Sequence, residues 1–188
     1  MFVMGIDPGL SRCGYGLVAA SGAATRPGAL RAVAAGVIET DPAARIPERL
    51  RLLRDELRDL MAAHRPDVVA VERVFFQVNA RTAMSVGQAS GLALAEAAAL
   101  GCEVAEYTSN EVKQALAGWG AADKEQVRRM VARVLGVDSV PGPPDVADAL
   151  ALAVCHLFGA PVRLAVGAAS AAGTAGSASA LGTAVTRR

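Results

Sequence analysis

The pattern of apolar and polar residues divides the chain into a group of strands followed by alternating helices and strands. Three early segments are apolar or alternating and are bounded by Gly, Pro or Ser, as β-strands are; they are residues 2–7, 14–20 and 29–38. We expect them to form an antiparallel meander. The segment "DVVAVE", 67–72, is continuously apolar, which is typical of a strand covered on both faces.

Helical periodicity appears in the second part of the pattern. Residues 47–64 place Leu and Met at spacings of three and four between charged residues, which predicts an amphipathic helix. Residues 79–100 are small and nearly uncharged, which predicts a helix buried on most of its surface. The remaining predicted elements are a strand at 102–108, helices at about 110–116 and 122–135, and a last helix beginning at Asp145. This order of elements predicts an α/β domain with a mixed sheet and helices on its faces.

Composition sets the broad class of the protein. A chain of 188 residues with 53% hydrophobic and 20% charged residues suits one globular domain, which we place at 1–160. Residues 161–188 are rich in Ala, Gly, Ser and Thr, and we expect a disordered tail of low complexity there. No signal peptide and no apolar run of about 18 residues is visible, so we expect a soluble, cytoplasmic protein.

Cysteine usage and net charge exclude some functions and leave others open. Cys13, Cys102 and Cys155 are far apart and form no C-x-x-C pair, so neither a disulfide framework nor a zinc site is indicated. The formal net charge of +1 does not by itself indicate a nucleic-acid partner. Lys113 and Lys124 stand out because they are the only lysines in a chain otherwise rich in Arg.

Four carboxylates form the candidate site. Asp7 and Glu72 each end an apolar strand, at the sheet edge where α/β proteins place ligands. Asp145 and Asp148 are three residues apart and therefore share one face of the last helix. Four converging carboxylates repel one another unless a cation lies between them, and oxygen ligands favour Mg²⁺ or Mn²⁺. Two such ions, about 3.5–4 Å apart, suit the hydrolysis of a phosphodiester.

Each acid also has a structural interpretation. Asp145 could serve only as an N-cap or dipole partner at the start of a helix, and Asp148 could be an ordinary structural residue. Asp7 and Glu72 have no local capping role, because each follows an apolar strand. A charge at such a position is costly to bury unless it is paired, protonated or bound to a metal.

Five ordered motifs give the chain a resemblance to a known family. They are "GIDPGLSRCGYG", "VVAVERVFF", "GQASGLALAEAA", "VKQALAGWGAADKEQV" and "PPDVADALALAVCH". In order and approximate spacing they resemble the RuvC family of Holliday junction resolvases, and the resemblance covers about residues 1–158. It implies a ribonuclease H-like fold with a five-stranded mixed sheet.

The resemblance also implies an activity. The enzyme would be a homodimeric endonuclease that acts in recombination and DNA repair by nicking two opposed strands of a four-way DNA junction symmetrically. It would use two Mg²⁺ ions per active site, with Mn²⁺ as a substitute, and leave 5′-phosphate and 3′-hydroxyl ends. Two antiparallel protomers, joined largely through the helix at 79–100, would explain the paired nicks by symmetry. The branch-migration proteins RuvA and RuvB would be partners.

The resemblance assigns roles to individual residues. The catalytic and metal-binding tetrad falls on Asp7, Glu72, Asp145 and Asp148, and some relatives carry His at the third position. The two lysines, Lys113 and Lys124, would contact phosphate, with a solvated helix face as the alternative. Phe75 would stack on unpaired bases, which is worth about 1–3 kcal/mol per base. Phe75 or Phe76 could instead be a core anchor, and we expect Phe76 to be the buried one.

Departures from the family pattern concern DNA contacts rather than chemistry. Ser90 stands where the family often has Arg, so some contact with DNA could fall to Arg81 or Arg12. Two other functions remain to be weighed. An actin-like ATPase also opens with a strand, Asp and Gly, but it needs two such domains and a second phosphate loop. A non-catalytic junction-binding module would tolerate loss of the four acids, all of which are present.

Overall fold

The computed structural model describes the backbone of residues 1–22, 24, 26, 28–73 and 80–174, and side chains through residue 159 except those of 80–82. The strands and helices follow the predicted order. They are β1 (Phe2–Asp7), β2 (Arg12–Ala20), β3 (Leu30–Glu39), α1 (Ile46–His64), β4 (Val68–Glu72), α2 (Ala80–Ala99), β5 (Glu103–Tyr107), α3 (Ser109–Ala117), α4 (Lys124–Leu135) and α5 (Pro144–Thr174).

Five strands form one mixed sheet in the order β3-β2-β1-β4-β5. The first three pair antiparallel, which confirms the predicted meander. β4 lies parallel to β1, and β5 lies parallel to β4. The register aligns Ile6 with Val71, so that the next residues, Asp7 and Glu72, end neighbouring strands at the same edge of the sheet.

Alternation along the strands separates two hydrophobic layers. Met4 and Ile6 of β1 face the layer formed with α1 and α2, where Leu53 and Leu57 are fully buried. Val3 faces the opposite layer, formed with α3, α4 and the first half of α5. Because successive side chains of a strand point to opposite faces, Gly5 and Asp7 lie on the α5 side with Val3.

The prediction that the 79–100 helix is buried on most of its surface is wrong for the single chain. Within the described part of α2, Ala89, Ala93 and Ala97 are fully buried against the sheet, whereas Met84 is 67% exposed and Ala95 is also exposed. The small side chains allow one face of α2 to approach the sheet closely. The other face lies open to solvent.

Three glycines allow α5 to lie directly against β1 and β2. A Cβ on Gly5 would overlap the backbone carbonyl oxygen of Ala149, and one on Gly14 would overlap the carbonyl oxygen of Asp145. A Cβ on Gly16 would come within 2.7 Å of the Leu150 side chain. Any larger residue at these positions would push the helix away from the sheet. The glycines therefore fix the depth at which the acids of α5 lie.

Two capping boxes set the starts of α3 and α4. Thr108 caps α3 together with Glu111, and Asp123 caps α4 together with Gln126; in each case both reciprocal hydrogen bonds form. The predicted helices at about 110–116 and 122–135 are confirmed, with α4 beginning at Lys124 because Asp123 is its N-cap. Lys124 is thereby the first residue of its helix.

The end of the chain differs in part from the predicted tail. α5 continues to Thr174, so residues 161–174 are helical where a disordered segment is expected from the sequence. Residues 1–158 form one compact unit, and the division into a domain and a tail at residue 160 stays a prediction. Within the described residues, no helix is long and apolar enough to cross a membrane.

Replacing Gly5 by Ala tests the contact between helix and sheet. We expect Gly5→Ala to lower the free energy of unfolding by about 1–3 kcal/mol, because the methyl group meets backbone atoms that cannot rotate away. Urea unfolding followed by circular dichroism measures this change. Gly120→Ala is the matched control, since the nearest atom to its Cβ is the Asn110 carbonyl oxygen at 3.9 Å. Equal stability of the two variants would contradict the role given to Gly5.

Candidate active site

Asp7 and Glu72 meet at the edge of the sheet. Both are the last residues of adjacent parallel strands, and both lie on the face covered by α5. Their charges interact, because the charge of Glu72 is among the causes that raise the pKa of Asp7. The pair is therefore a concentrated negative site, which favours the binding of a proton or of another cation.

Helix α5 adds a third carboxylate, and α3 and α4 add both lysines. Asp7, Glu72 and Asp148 line one open cavity of about 180 Å³ together with Lys113 and Lys124. The other residues of its wall are Ser109, Val112, Val127, Ala151 and Leu152. The structure thus brings together five of the residues singled out from the sequence. Ser109, at the start of α3, is a wall residue that sequence reasoning missed, since a single Ser at a helix start carries no distinctive signal.

Burial and mutual repulsion perturb the two strand-end acids. Burial, followed by the charges of Glu72, Asp148 and Asp145, raises the pKa of Asp7 to about 7. The pKa of Glu72 is also raised, mainly by burial and then by the charge of Asp148, although its bond to Asp7 and the charge of Lys124 lower it. Such an excess of uncompensated negative charge is typical of cation sites.

Lys124 neutralises one of the acids of the cavity. Its Nζ donates a hydrogen bond of 3.0 Å to Oδ2 of Asp148, and this contact raises the pKa of Lys124. A cation at the first residue of a helix opposes the helix dipole, so the position is unfavourable locally. The ion pair with Asp148 offsets that cost. The Lys124 side chain is nevertheless 79% exposed, so its ammonium group remains accessible from solvent.

Asp145 lies beside the cavity rather than in its wall. Arg12 donates from Nε and Nη2 to Oδ2 of Asp145, at 3.2 Å each, and from Nη1 to Oε1 of Glu39 at 2.7 Å. The bond to Arg12 draws the carboxylate of Asp145 toward β2 and β3. Sequence reasoning placed Arg12 among DNA contacts and missed its ion pair with Asp145, because residues so distant in sequence give no pairing signal.

The donor set fits a divalent cation in chemistry and charge. The acids that line the cavity offer only oxygen atoms, which suit Mg²⁺ or Mn²⁺ and not zinc. Among the described residues, no group of three or more His, Cys, Asp or Glu side chains is already arranged around one metal position. Two of the four acids are instead paired with basic side chains, Asp145 with Arg12 and Asp148 with Lys124.

Several predicted contacts fall outside the part of the chain that the structure describes. Phe75 and Phe76 lie in residues 74–79, and the side chain of Arg81 is likewise outside the described set. Their roles stay predictions. Ser90, at the position where Arg is common in the family, is buried on the inner face of α2.

A part-buried polar pair between β5 and α5 was also not anticipated. The hydroxyl of Tyr107, at the end of β5, lies 2.9 Å from Nδ1 of His156 on α5. His156 is eight residues after Asp148 on the same helix and is 2% exposed. The pair joins α5 to the strand next to Glu72, which is consistent with the alignment of Glu72 and Tyr107 in the sheet. Only the spacing of eight between Asp148 and His156 hinted at a shared helix face.

Most of the chain is similar in sequence to proteins of one known family. Residues 3–156 match the family described as "Crossover junction endodeoxyribonuclease RuvC". The chain belongs to the RuvC family. The relative of that name from Clavibacter michiganensis is 50% identical over 155 residues, which cover 82% of this chain and 75% of the relative. The one from Moorella thermoacetica is 50% identical over 164 residues, covering 87% and 95%.

Solved structures of the RuvC family share the fold. The structure of Thermus thermophilus RuvC matches with a TM-score of 0.80 and 39% identity, covering 87% of this chain and 97% of that one. T. thermophilus RuvC in complex with a Holliday junction substrate matches equally well, with a TM-score of 0.80 and coverage of 87% and 96%. The yeast mitochondrial resolvase Ydc2 matches with a TM-score of 0.63 and 13% identity, which shows a common fold. The predicted ribonuclease H-like fold is confirmed.

The raised pKa of Asp7 predicts an unusual dependence of stability on pH. The folded pKa, about 7, exceeds the ordinary value of 3.8, so the folded state binds more protons between these values and loses stability as pH rises from 3.8 to 7. In EDTA at pH 8 we expect Asp7→Asn to be more stable than the unaltered protein, on the order of 2 kcal/mol.

Urea unfolding at pH 8 and pH 4 measures this effect. The difference between the two proteins should shrink at pH 4, where Asp7 is largely protonated in the folded protein. Asp59→Asn, an exposed position on α1, is the matched control and should change little at either pH. An Asp7→Asn variant that is less stable than the unaltered protein at pH 8 would contradict the electrostatic account.

Proposed function

We propose that this protein is a crossover junction endodeoxyribonuclease that resolves four-way DNA junctions in recombination and repair. Its relatives carry that name, and a structural neighbour at 39% identity is described in complex with a Holliday junction substrate. The observation that carries the proposal is the convergence of Asp7, Glu72 and Asp148 with both lysines of the chain in one open cavity. Carboxylates by themselves indicate a metal site, and lysines beside them indicate that a phosphate group binds next to the metal.

The proposed reaction is hydrolysis of two opposed phosphodiester bonds, leaving 5′-phosphate and 3′-hydroxyl ends. Asp7, Glu72, Asp148 and Asp145 would hold the metal, which would supply an activated water and charge stabilisation for the leaving oxygen. Lys113 and Lys124 bind the negatively charged phosphate at the cavity mouth and orient it. Because Asp7 binds a proton with a pKa near 7, it must release that proton before it can act as a ligand.

The metal is assigned from the ligands. Nucleases of this family depend on metal ions. We assign Mg²⁺ to this chain, with Mn²⁺ as a substitute, and two ions per active site, since two such ions suit the hydrolysis of a phosphodiester. Oxygen ligands at this density favour hard cations.

The chain is proposed to act as a homodimer joined through α2. On the described part of that helix Met84, Gly91 and Ala95 are exposed and follow the spacing of one helical face. Gly91 has no atom within 4 Å of the position of its Cβ. A second helix of the same kind could therefore pack closely on this face. A two-fold dimer would then present two identical sites to two opposed strands.

Further parts of the proposal follow from the family. RuvA and RuvB are the proposed protein partners, and the cytoplasm is the proposed location. Arg12, Arg81 and Phe75 remain candidate DNA contacts. A phosphotransferase of the actin-like ATPase type is disfavoured, because the cavity holds carboxylates and lysines but no second glycine-rich phosphate loop accompanies it. A binding module without catalysis would have no use for a proton-binding acid pair in an open cavity.

Cleavage of a synthetic four-way junction tests the activity. With Mg²⁺ or Mn²⁺ we expect paired nicks in the junction and none in a linear duplex of the same sequence, and no nicks in EDTA. Asp7→Asn should abolish cleavage but keep junction binding, since the carboxylate and not the DNA contacts is removed. At a metal concentration below saturation the rate should rise with pH, because protons then compete less with the metal for Asp7.

Denaturing gels resolve the nicked strands, and gel shifts measure binding. Asp59→Asn is the control and should cut like the unaltered protein. Cleavage by Asp7→Asn at the normal rate would refute the assignment of the site. Junction binding without nicks under every metal would favour the binding module instead.

Introducing a charge on the exposed face of α2 tests the dimer. We expect Ala95→Glu to shift the protein from dimer to monomer in sedimentation equilibrium, because two like charges would meet near the two-fold axis. Leu52→Glu, on an exposed position of α1, is the matched control and should leave the dimer intact. A monomeric unaltered protein at micromolar concentration would disprove the dimer while leaving the chemistry of the site untouched.

A further inference from the structure

Trp119 is exposed on the loop between α3 and α4. It is the only tryptophan of the chain, and its side chain is 52% exposed. Among the exposed large apolar side chains that the structure describes, it is the only aromatic one. A tryptophan left in water forgoes the large stabilisation that its burial would give. Its exposure therefore calls for an explanation other than packing.

The α3–α4 pair does not use Trp119 for its own stability. The two helices bury Val112 and Leu116 of α3 and Val127 and Val131 of α4 in the layer beneath the sheet. These side chains complete the contact between the helices. Trp119 lies outside that cluster, so its ring is available to another molecule.

The loop holds Trp119 in a defined position. Gly118, at φ 79°, ends α3 in the left-handed conformation and donates its N–H to the carbonyl oxygen of Gln114 at 3.0 Å. The Gln114 side chain returns a hydrogen bond of 2.7 Å to the carbonyl oxygen of Gly118. On the other side, the capping box of Asp123 fixes the start of α4. An aromatic ring on a fixed loop loses little conformational entropy on binding.

The loop lies between the two lysines of the cavity. Lys113 precedes Trp119 on α3, and Lys124 follows it as the first residue of α4. From the helix rise and the reach of an extended chain, the Cα of Trp119 lies within about 13 Å of that of Lys113 and about 18 Å of that of Lys124. These are upper limits, and they equal at most about four to five nucleotides of rise along duplex DNA, so a strand held by the lysines can also reach Trp119.

We propose that Trp119 is a nucleobase-stacking site beside the active-site cavity, which takes an unpaired base of the junction on the strand held by Lys113 and Lys124. The inference rests on the proposed junction activity. Lysines hold phosphates without regard to base pairing, whereas an indole ring gains most from a base whose face is free. Trp119 thus adds a preference for unpaired bases to the phosphate contacts of Lys113 and Lys124.

The fluorescence of the single tryptophan reports directly on this contact. In EDTA, so that no strand is cut, titration with a four-way junction should quench the emission of Trp119 strongly, and a linear duplex at the same occupancy should quench it much less. A second titration with a junction that carries 2-aminopurine near its centre gives the complementary signal from the base. Both signals should saturate at the same junction concentration.

Substitution measures the contribution to affinity. We expect Trp119→Ala to weaken junction binding about five- to a hundredfold, and Trp119→Phe to restore most of it because Phe keeps an aromatic face. Binding to linear duplex should change by less than about twofold in both variants. Leu52→Ala, another exposed apolar position, is the matched control. Circular dichroism verifies that each variant is folded.

Each other outcome would overturn the inference. Unchanged emission on binding, equal quenching by duplex and junction, or normal junction affinity of Trp119→Ala would each exclude stacking on an unpaired base. Emission that changes with protein concentration in the absence of DNA would assign Trp119 to a protein contact instead. If the unaltered protein cuts the junction while any of these holds, only the stacking site fails; if it neither binds nor cuts the junction, the proposed function fails with it.

Discussion

The close contact between α5 and the first two strands is the constraint on which the site depends. Gly5, Gly14 and Gly16 leave the surface of β1 and β2 without side chains where the helix crosses, so backbone meets backbone. The helix is thereby fixed both in depth and in its position along the strands. Because Asp148 lies one residue before Ala149, which contacts Gly5, its carboxylate reaches the cavity that Asp7 also lines. Stability and site geometry thus depend on the same contact.

This arrangement has an electrostatic cost. The packing that brings Asp148 toward Asp7 and Glu72 also buries negative charge, and the raised pKa of Asp7 is the direct consequence. Two groups offset the excess charge: a proton, which Asp7 binds more readily because its pKa is raised, and the ammonium group of Lys124. Both are exchangeable: a proton leaves as pH rises, and an exposed lysine can turn to a phosphate. A divalent cation neutralises the same charge more completely.

Much of this could be predicted from the sequence because the signals are local. Short apolar runs that end on a carboxylate placed Asp7 and Glu72 at strand ends, and a spacing of three placed Asp145 and Asp148 on one helix face. Contacts between residues far apart in the sequence could not be predicted from such local signals. Nothing local indicates that Arg12 holds Asp145, that Tyr107 meets His156, or that α2 buries only one face, since each depends on which elements become neighbours. The glycines of β1 and β2 can be read from the sequence, but their role in packing becomes clear only when the position of the helix that covers them is known.

Residues that break local rules gather around the cavity. Lys124 opposes the dipole of its own helix, Asp7 ends an apolar strand with a buried acid, and Trp119 leaves an indole ring in water on an adjacent loop. Elsewhere the chain is locally consistent: both helices that bear the lysines have complete capping boxes, and the two layers are filled with aliphatic side chains. Because the rest of the chain follows local rules, these unfavourable residues are informative. Each one lowers the stability of the free protein, and binding of a substrate or cation can offset that cost. An acid pair suits a metal, an ammonium group suits a phosphate and an exposed ring suits a base, and all three agree with the ligand we propose, a nucleic-acid strand at a metal site.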